Sequence, residues 1–186
     1  MTDINKIPHD ESGPEAGADA PLLVSEAERT AQLLQLTELL FFAYRDFISD
    51  PDEILSEFGF GRAHHRVVHF VSRNPGIKVA DLLDILAITK QSLGRVLKQL
   101  IEGDFIRQQE GPRDRRQRLL YLTAKGRALA VRLSAPQLDR LAKALEEVGP
   151  GGAEQIRAAL YHVVSPHNRH QVSRIVLANQ RIGDQP

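Results

Sequence analysis

The stretch that decides the fold reads GPRDRRQRLLYLT and occupies residues 111–123. Its cationic turn joins two β-prone runs, Phe105 to Gln109 and Arg118 to Leu122, which predicts a β-hairpin with a basic tip. A helix-sized segment with basic residues along it, Thr89 to Glu102, comes immediately before. A helix followed by a basic-tipped hairpin is the layout of a winged helix. The predicted fold class is therefore mainly α with a small β-hairpin wing (α+β).

The chain has 186 residues, which suits one domain with tails or with an appended oligomerisation region, and 42% of them are apolar. It contains no cysteine, which excludes disulfides, thiol catalysis, thiolate metal sites and thiol redox sensing. The N-terminus lacks the apolar core of a signal peptide, and no apolar run approaches the ~20 residues that span a bilayer. We therefore expect a soluble, cytoplasmic protein with no membrane partner.

The formal net charge of zero hides an uneven distribution of charge. Residues 1–60 carry 3 Lys and Arg against 13 Asp and Glu, whereas residues 89–127 carry 10 against 4. Local potential, rather than the sum over the chain, attracts a polyanion. The predicted helix and wing are therefore the expected contact for a nucleic acid.

The first helix is predicted to begin after Ser25, an N-cap with Glu28 three residues on. Apolar residues at positions 33–48 cover more than one face of this helix. A helix that is apolar nearly all round must be buried on several sides, which favours a partner subunit. A central core helix of a monomer is the alternative. Pro51 and its flanking aspartates are expected to stop or turn the helix.

Cap and turn residues divide the remainder of the chain. Thr89 and Thr123 are predicted N-caps, and Gly103 is predicted as the C′ residue of its helix. A kink or break is expected at Pro136. The predicted organisation is a disordered acidic tail (1–24), a single domain (25–165) with a winged helix-turn-helix at about 62–123 and dimerisation helices at about 25–49 and 124–165, and a C-terminal tail (166–186).

The segments Val79 to Leu86 and Thr89 to Glu102 form a predicted helix-turn-helix. The second helix has a buried stripe at i, i+3, i+4, i+7 and i+8 that ends at Ile101. Its other face carries groups that can pair with guanine or adenine edges, or bind a phosphate at the helix N-terminus. The alternative is a solvated basic face without a ligand. The candidate DNA-binding residues are Thr89, Lys90, Gln91, Ser92, Gly94, Arg95 and Lys98.

The wing supplies a second candidate DNA contact. Its arginines surround Asp114, whose carboxylate can accept a bidentate bond and orient one of them, expected to be Arg116. The remaining guanidinium groups would be free for phosphates or for a narrow minor groove. An ordinary charged hairpin tip is the alternative. The candidate residues are Arg113, Asp114, Arg115, Arg116 and Arg118.

The run Asp114-Arg115-Arg116, with Leu119, Leu122-Thr123 and Gly126 after it, resembles the signature of MarR-type transcription regulators. The resemblance covers about Leu33 to Val164, and the pattern including residues 59–65 is similar to the PetP-like branch of alphaproteobacteria. It implies a homodimer, with the first and last helices at its interface, that binds palindromic double-stranded DNA. It also implies that Arg116 is the minor-groove arginine, beside Arg115, and that Asp114 is the wing acid. Gly111 replaces a common acidic residue and is expected to loosen the turn.

The same resemblance implies a pocket for an anionic or phenolic effector between the dimer helices and the winged domain. Packing of the dimer is the alternative role for its lining. The residues that would line this pocket are Phe42, Tyr44, Arg45, His65, Arg66 and His69.

Two further functions remain as alternatives. His64, His65 and His69 form a local cluster that would allow a metal- or haem-responsive regulator, although a structural role is favoured and neither a metal nor a cofactor is expected. A winged-helix module that binds protein without DNA is another alternative. An enzyme is not expected, because the glycine pairs at 59–61 and 149–152 lack the rest of a nucleotide-binding motif.

Overall fold

The computed structural model describes residues 25–178, which divide into two compact units between Leu40 and Phe41. The predicted acidic tail over residues 1–24 and the last residues of the chain lie outside this range. The fold class is confirmed, since the described chain is mostly helical with one small antiparallel sheet. The elements are α1 (Glu26–Ser56), α2 (Arg62–Arg73), β1 (Ile77–Lys78), α3 (Val79–Leu86), α4 (Lys90–Glu102), β2 (Ile106–Glu110), β3 (Arg118–Leu122), α5 (Ala124–Val148), α6 (Gly152–Val163) and α7 (Pro166–Ala178).

The first unit contains the N-terminal part of α1. The helix α1 begins with the predicted capping box. The Glu28 amide donates to Ser25 Oγ at 3.2 Å, and the Ser25 amide donates to Glu28 Oε2 at 2.9 Å. The large apolar side chains at residues 25–40 are all exposed in the single chain, which gives no support to the monomer-core alternative. These side chains are Leu33, Leu34, Leu36, Leu39 and Leu40.

The second unit is built around the helix-turn-helix and the wing. The sheet has the order β1-β3-β2, and both strand pairs are antiparallel. Residues from α2, α3, α4, the sheet and the start of α5 share one core, because each helix presents an apolar stripe to it. The bounds predicted for α3 are confirmed, and β2 begins one residue later than predicted. The fully buried leucines of this core are Leu55, Leu82, Leu86, Leu93, Leu100, Leu120 and Leu133.

The prediction that α1 ends at Pro51 is wrong, because the helix continues to Ser56. A proline inside a helix has no N–H for the carbonyl four residues earlier, which here belongs to Phe47. The Gln137 side chain of α5 donates to that carbonyl oxygen at 3.1 Å instead. Pro51 itself is buried, so its ring contributes to packing. The continuation of α1 therefore depends on a donor from another helix.

The second proline and the C-terminal segment also differ from expectation. Pro136 lies within α5, which runs from Ala124 to Val148 without the predicted break. Residues 166–178 of the predicted C-terminal tail form α7, which starts at Pro166, a residue favoured in the first turn of a helix. Arg169 ties α7 to the end of α6 by donating to the carbonyl oxygens of His162 and Val164 at 2.8 and 3.0 Å.

The junction of α4, β2 and α5 is held by direct backbone contacts. Gly103 is the C-cap of α4 with φ −78°, so its predicted C′ role is wrong: Asp104 takes the left-handed conformation with φ 59°. Thr123 caps α5 as predicted, and its hydroxyl donates to the Asp104 carbonyl at 2.6 Å. A Cβ at Gly126 would fall on the carbonyl oxygen of Phe105, so α5 packs there without a side chain between.

Candidate nucleic-acid interface

The cap of α4 fixes the start of the predicted recognition helix. Thr89 Oγ1 accepts a hydrogen bond from the Ser92 amide at 3.1 Å and lies 2.9 Å from Ser92 Oγ. This cap satisfies one of the free N–H groups of the first turn, which is why threonine is favoured at this position. Both hydroxyl groups are therefore engaged within the helix before any ligand arrives.

The exposed face of α4 carries the predicted reading groups. Its buried stripe ends at Leu100, since Ile101 is 38% exposed against expectation. Lys98 contacts Glu102 at 3.8 Å, but both side chains are largely exposed, and such surface pairs contribute little. The side chains or backbone exposed on this face belong to Lys90, Gln91, Gly94, Arg95 and Lys98.

The wing turn is organised differently from the prediction. Asp114 Oδ1 accepts a hydrogen bond from the backbone N–H of Arg116 at 2.9 Å, so it shapes the turn and does not orient the Arg116 guanidinium. Arg118 is the arginine that is held in place: its Nη1 donates to Glu110 Oε1 at 3.2 Å and to the Arg115 carbonyl at 2.6 Å. The carboxylate that orients an arginine of the wing is thus Glu110 in place of the predicted Asp114, and the oriented arginine is Arg118 in place of Arg116.

Gly111 tightens this turn, contrary to the expectation that it would loosen it. Its N–H donates to the Gln117 carbonyl at 3.0 Å, and the Gln117 N–H donates to the Asp114 carbonyl at 3.0 Å. A Cβ at Gly111 would lie 2.8 Å from the Asp114 carbonyl oxygen. Glycine therefore allows the two arms of the turn to approach closely.

The tip leaves most of its charge available. Arg113, Arg115 and Arg116 are exposed. Within residues 25–178, Arg118 is the wing arginine that forms an ion pair, and its partner is Glu110. Clustered guanidinium groups repel one another unless an anion is near. The wing is therefore suited to contact phosphate groups.

A groove of about 620 Å³, called here the basic groove, lies between α4 and the wing. Apolar residues of α3 and α4, including Leu83 and Leu97, form its floor, and Gly94 lies along it. Its lining contains no carboxylate. Lys78 was not among the predicted contacts, although a lysine directly before α3 was a visible signal. The cations that line the groove are Lys78, Lys90, Arg116 and Arg118.

Comparison with known proteins assigns the family. The MarR family model matches residues 58–117. The HTH-type transcriptional regulator PetP of Rhodobacter capsulatus is 44% identical over 138 residues, which cover 74% of this chain and 83% of that protein. The chain belongs to the MarR family. It is thus a transcriptional regulator of that family and not an enzyme, and the recognised resemblance is confirmed.

Solved MarR structures share this fold. A MarR family transcription regulator is 18% identical with a TM-score of 0.58, covering 86% of this chain and 98% of its own. A mutant MarR from E. coli complexed with operator DNA is 20% identical with a TM-score of 0.55, covering 72% of this chain and 96% of its own. A MarR family regulator from Silicibacter pomeroyi is 19% identical with a TM-score of 0.58, covering 68% and 85%. Across residues 25–178 of the MarR-family chain, no helix is both long and apolar enough to cross a membrane.

The predicted effector residues are only partly brought together in the MarR-family chain. A cleft of about 430 Å³ between α2 and α5 is lined by His65 and His69, with Arg73, Ser72 and Ser134. The other four predicted residues are not among those that line it. The Arg45 guanidinium lies 4.9 Å from the Phe42 ring centroid and pairs with Asp46, Tyr44 is exposed, and Arg66 donates to the Leu86 carbonyl at 2.8 Å.

Both imidazoles of this cleft have a lowered pKa. Desolvation is the main cause for His65, opposed by the charge of Asp52 and a hydrogen bond with Gln137. For His69, desolvation is again the main cause, and the nearby charges of His65 and Arg73 lower the pKa further. Both rings therefore favour the neutral form more strongly than a free imidazole does.

His64 is separated in role from its two neighbours. It is buried, its Nδ1 accepts from the Gly61 amide at 3.1 Å, and its Nε2 lies 2.8 Å from Gln99 Oε1. Because Nδ1 accepts, Nε2 carries the proton and donates to Gln99. The ring also stacks on Phe60 at 4.5 Å between centroids. Among the described residues, no group of three His, Cys, Asp or Glu side chains is placed to hold a metal, so this geometry gives no support to the metal or haem alternative.

Proposed function

We propose that this protein is a homodimeric, sequence-specific DNA-binding transcription regulator that acts in the cytoplasm on a pseudo-palindromic operator. The observation that carries the proposal is the basic groove: α4 and the wing place cations along one acid-free surface. Phosphate contacts of this kind supply most of the affinity of a protein for DNA. The E. coli MarR complex with operator DNA has the same fold, which supports this use of the surface.

The protein would contact the duplex in both its major and its minor groove. Gln91 and Arg95, exposed on α4, would read base edges in the major groove, where arginine pairs with guanine and glutamine with adenine. Arg116 at the wing tip would enter the adjacent minor groove. Lys90 and Lys98 would bind phosphates, and Thr89 and Ser92 would hold the helix start in position.

The proposed dimer is supported by exposed apolar surface on α1 and α6. Phe41 is 71% exposed and Val163 is 70% exposed in the single chain, and neighbouring residues of both helices are similarly uncovered. Exposed apolar surface of this extent is typical of an interface in soluble proteins. Two-fold symmetry would then present two recognition helices to half-sites about one helical turn apart.

Selection of bound sequences from a random DNA pool, followed by sedimentation of the protein at micromolar concentration, tests this function. We expect an enriched inverted repeat and the mass of a dimer. A pool without enrichment, together with salt-insensitive binding to protein partners, would instead support the protein-interaction alternative. A monomer at micromolar concentration would contradict the proposed interface.

A small-molecule effector is a second part of the proposal, and the cleft between α2 and α5 supports it. One guanidinium, two imidazoles and two hydroxyl groups surround an apolar wall that includes Val68 and Leu133. This chemistry suits a small carboxylate with an apolar body. Thermal-shift assays with benzoate-type anions test it: the midpoint should rise with ligand for the native chain and not for Arg73→Gln, and equal shifts in both would contradict it.

A further inference from the structure

Lys78 lies next to the wing at the end of a short strand. It is the last residue of β1 and pairs in register with Leu119 of β3, one residue after Arg118. It is also the N-cap of α3, where its ammonium group, a donor only, cannot accept a capping hydrogen bond from the helix. The side chain is exposed, and none of the ion pairs of the described residues includes it. The lysine ammonium therefore has no structural role that the fold requires.

Three cations without a carboxylate partner converge on the basic groove from three separate elements. Lys78 comes from the junction of β1 and α3, Lys90 from the first turn of α4, and Arg116 from the wing turn. Like charges around one acid-free groove raise the local positive potential. A single extended anion lying along the groove would contact all three.

The geometry of a duplex identifies that anion. A sugar–phosphate strand separates each major groove from the adjacent minor groove, which are about 12 and 6 Å wide. If α4 occupies the major groove and the wing the minor groove, that strand must cross the surface between them. The basic groove is this surface, because it is lined by α4 on one side and by the wing on the other.

We propose that Lys78 binds a phosphate group of this dividing strand, between the contacts of Lys90 and Arg116. The inference rests on the proposed DNA-binding function and adds a residue to it. Phosphate contacts position a protein on DNA and carry no sequence information directly. Lys78 is therefore a positioning residue, which strengthens binding to operator and to unrelated DNA equally.

The test compares Lys78→Gln with Lys143→Gln, a matched control on α5 whose lysine is similarly exposed and pairs with Asp139. Dissociation constants of the full chain are measured on the selected operator and on an unrelated duplex at several salt concentrations. Loss of one phosphate contact lowers the slope of log affinity against log salt by about 0.9, which corresponds to about eightfold weaker binding at 0.1 M salt. In a symmetric dimer both subunits carry the substitution, so the expected change in slope is about twice as large, roughly 1.8.

We expect Lys78→Gln to weaken binding to both duplexes by the same factor. Lys143→Gln should leave the dissociation constants for both duplexes unchanged. Lys78→Arg keeps the charge and should retain the native slope, which separates loss of charge from a fault in folding. An unchanged slope in Lys78→Gln, while Arg116→Ala weakens binding, would overturn the inference and leave the proposed function intact. A loss confined to the operator would also overturn it, since that would indicate base reading. A native chain without affinity for either duplex would instead overturn the proposed function.

Discussion

The side-chain amide of Gln137 donates a hydrogen bond to the Phe47 carbonyl oxygen at 3.1 Å, across 90 positions of the chain. Pro51 leaves this carbonyl without its helical donor, and Gln137 is itself buried. Two ion pairs flank the contact, Arg132 with Glu57 and Arg140 with Asp50. The proline-containing turn of α1 is therefore completed by α5.

Gln137→Leu should remove this donor while keeping most of the side-chain volume. A fully buried acceptor left without a partner costs about 1–3 kcal/mol, and the contact at Phe47 is only half-buried, so the free energy of unfolding in urea should fall by about 1 kcal/mol, the lower end of that range. Pro51→Ala restores a backbone N–H to the turn, so the cost of Gln137→Leu should be smaller in that background. Equal costs in both backgrounds would show that the Phe47 carbonyl does not depend on Gln137.

Gly94→Ala should change stability and DNA affinity in opposite directions. Apart from the backbone of α4 itself and the two adjacent residues, no atom lies within 4 Å of the position of its added methyl group, so replacement of a mid-helix glycine should stabilise the protein by up to about 1 kcal/mol. The same methyl group would project toward DNA along the basic groove and weaken operator binding. Thermal melting and fluorescence anisotropy measure the two effects. An unchanged dissociation constant would place the DNA away from this part of α4.

Arg116→Ala should weaken operator binding by roughly 1–3 kcal/mol without altering the melting temperature. The guanidinium makes no ion pair among the described residues, so its loss should not disturb the fold. Lys98→Ala should weaken operator and unrelated DNA more uniformly, as expected for a phosphate contact. An operator affinity that Arg116→Ala leaves at the native value would contradict the minor-groove role of the wing.

The two cleft histidines predict a loss of stability in mild acid. Their folded pKa values lie below the ordinary value of 6.5, so between these pKa values the unfolded chain binds more protons. These two groups therefore lower the free energy of unfolding as the pH falls below 6.5, and they have no such effect well above pH 6.5. His69→Gln should flatten the dependence of the unfolding free energy on pH between 5 and 7, relative to His167→Gln on the exposed face of α7. Parallel curves for the two variants would refute the assignment.

Local patterns predicted the elements whose causes are local. Thr89 and Thr123 cap helices through atoms three residues away, and the two β-prone runs on either side of the basic turn are visible in a short window. The continuation of α1 through Pro51 was not predictable in this way, because its substitute donor is distant in sequence. The same holds for Asp114, since only the folded turn shows whether a carboxylate meets a guanidinium or a backbone N–H.

The residues of the candidate site also separate into those that local sequence predicted and those that depend on the folded structure. The exposed residues of α4 followed from helical periodicity, which places them opposite the buried stripe. Lys78 did not, because its position beside Arg116 results from strand pairing between β1 and β3. The effector residues of α1 were carried over from the family resemblance, and only His65 and His69 line the cleft.

The contact between Gly126 and the Phe105 backbone has a mechanical consequence. Lys125 Nζ donates to the Gly103 carbonyl at 2.8 Å and Arg127 Nη1 donates to the Leu122 carbonyl at 3.0 Å, so the start of α5 is fastened to the end of α4 and to the wing. Because no side chain lies between Gly126 and the Phe105 backbone, the start of α5 and the end of α4 are in direct contact and are expected to move together. We therefore expect a tilt of α5 to be passed on to the recognition helix, because few side chains lie at this junction to take it up by repacking.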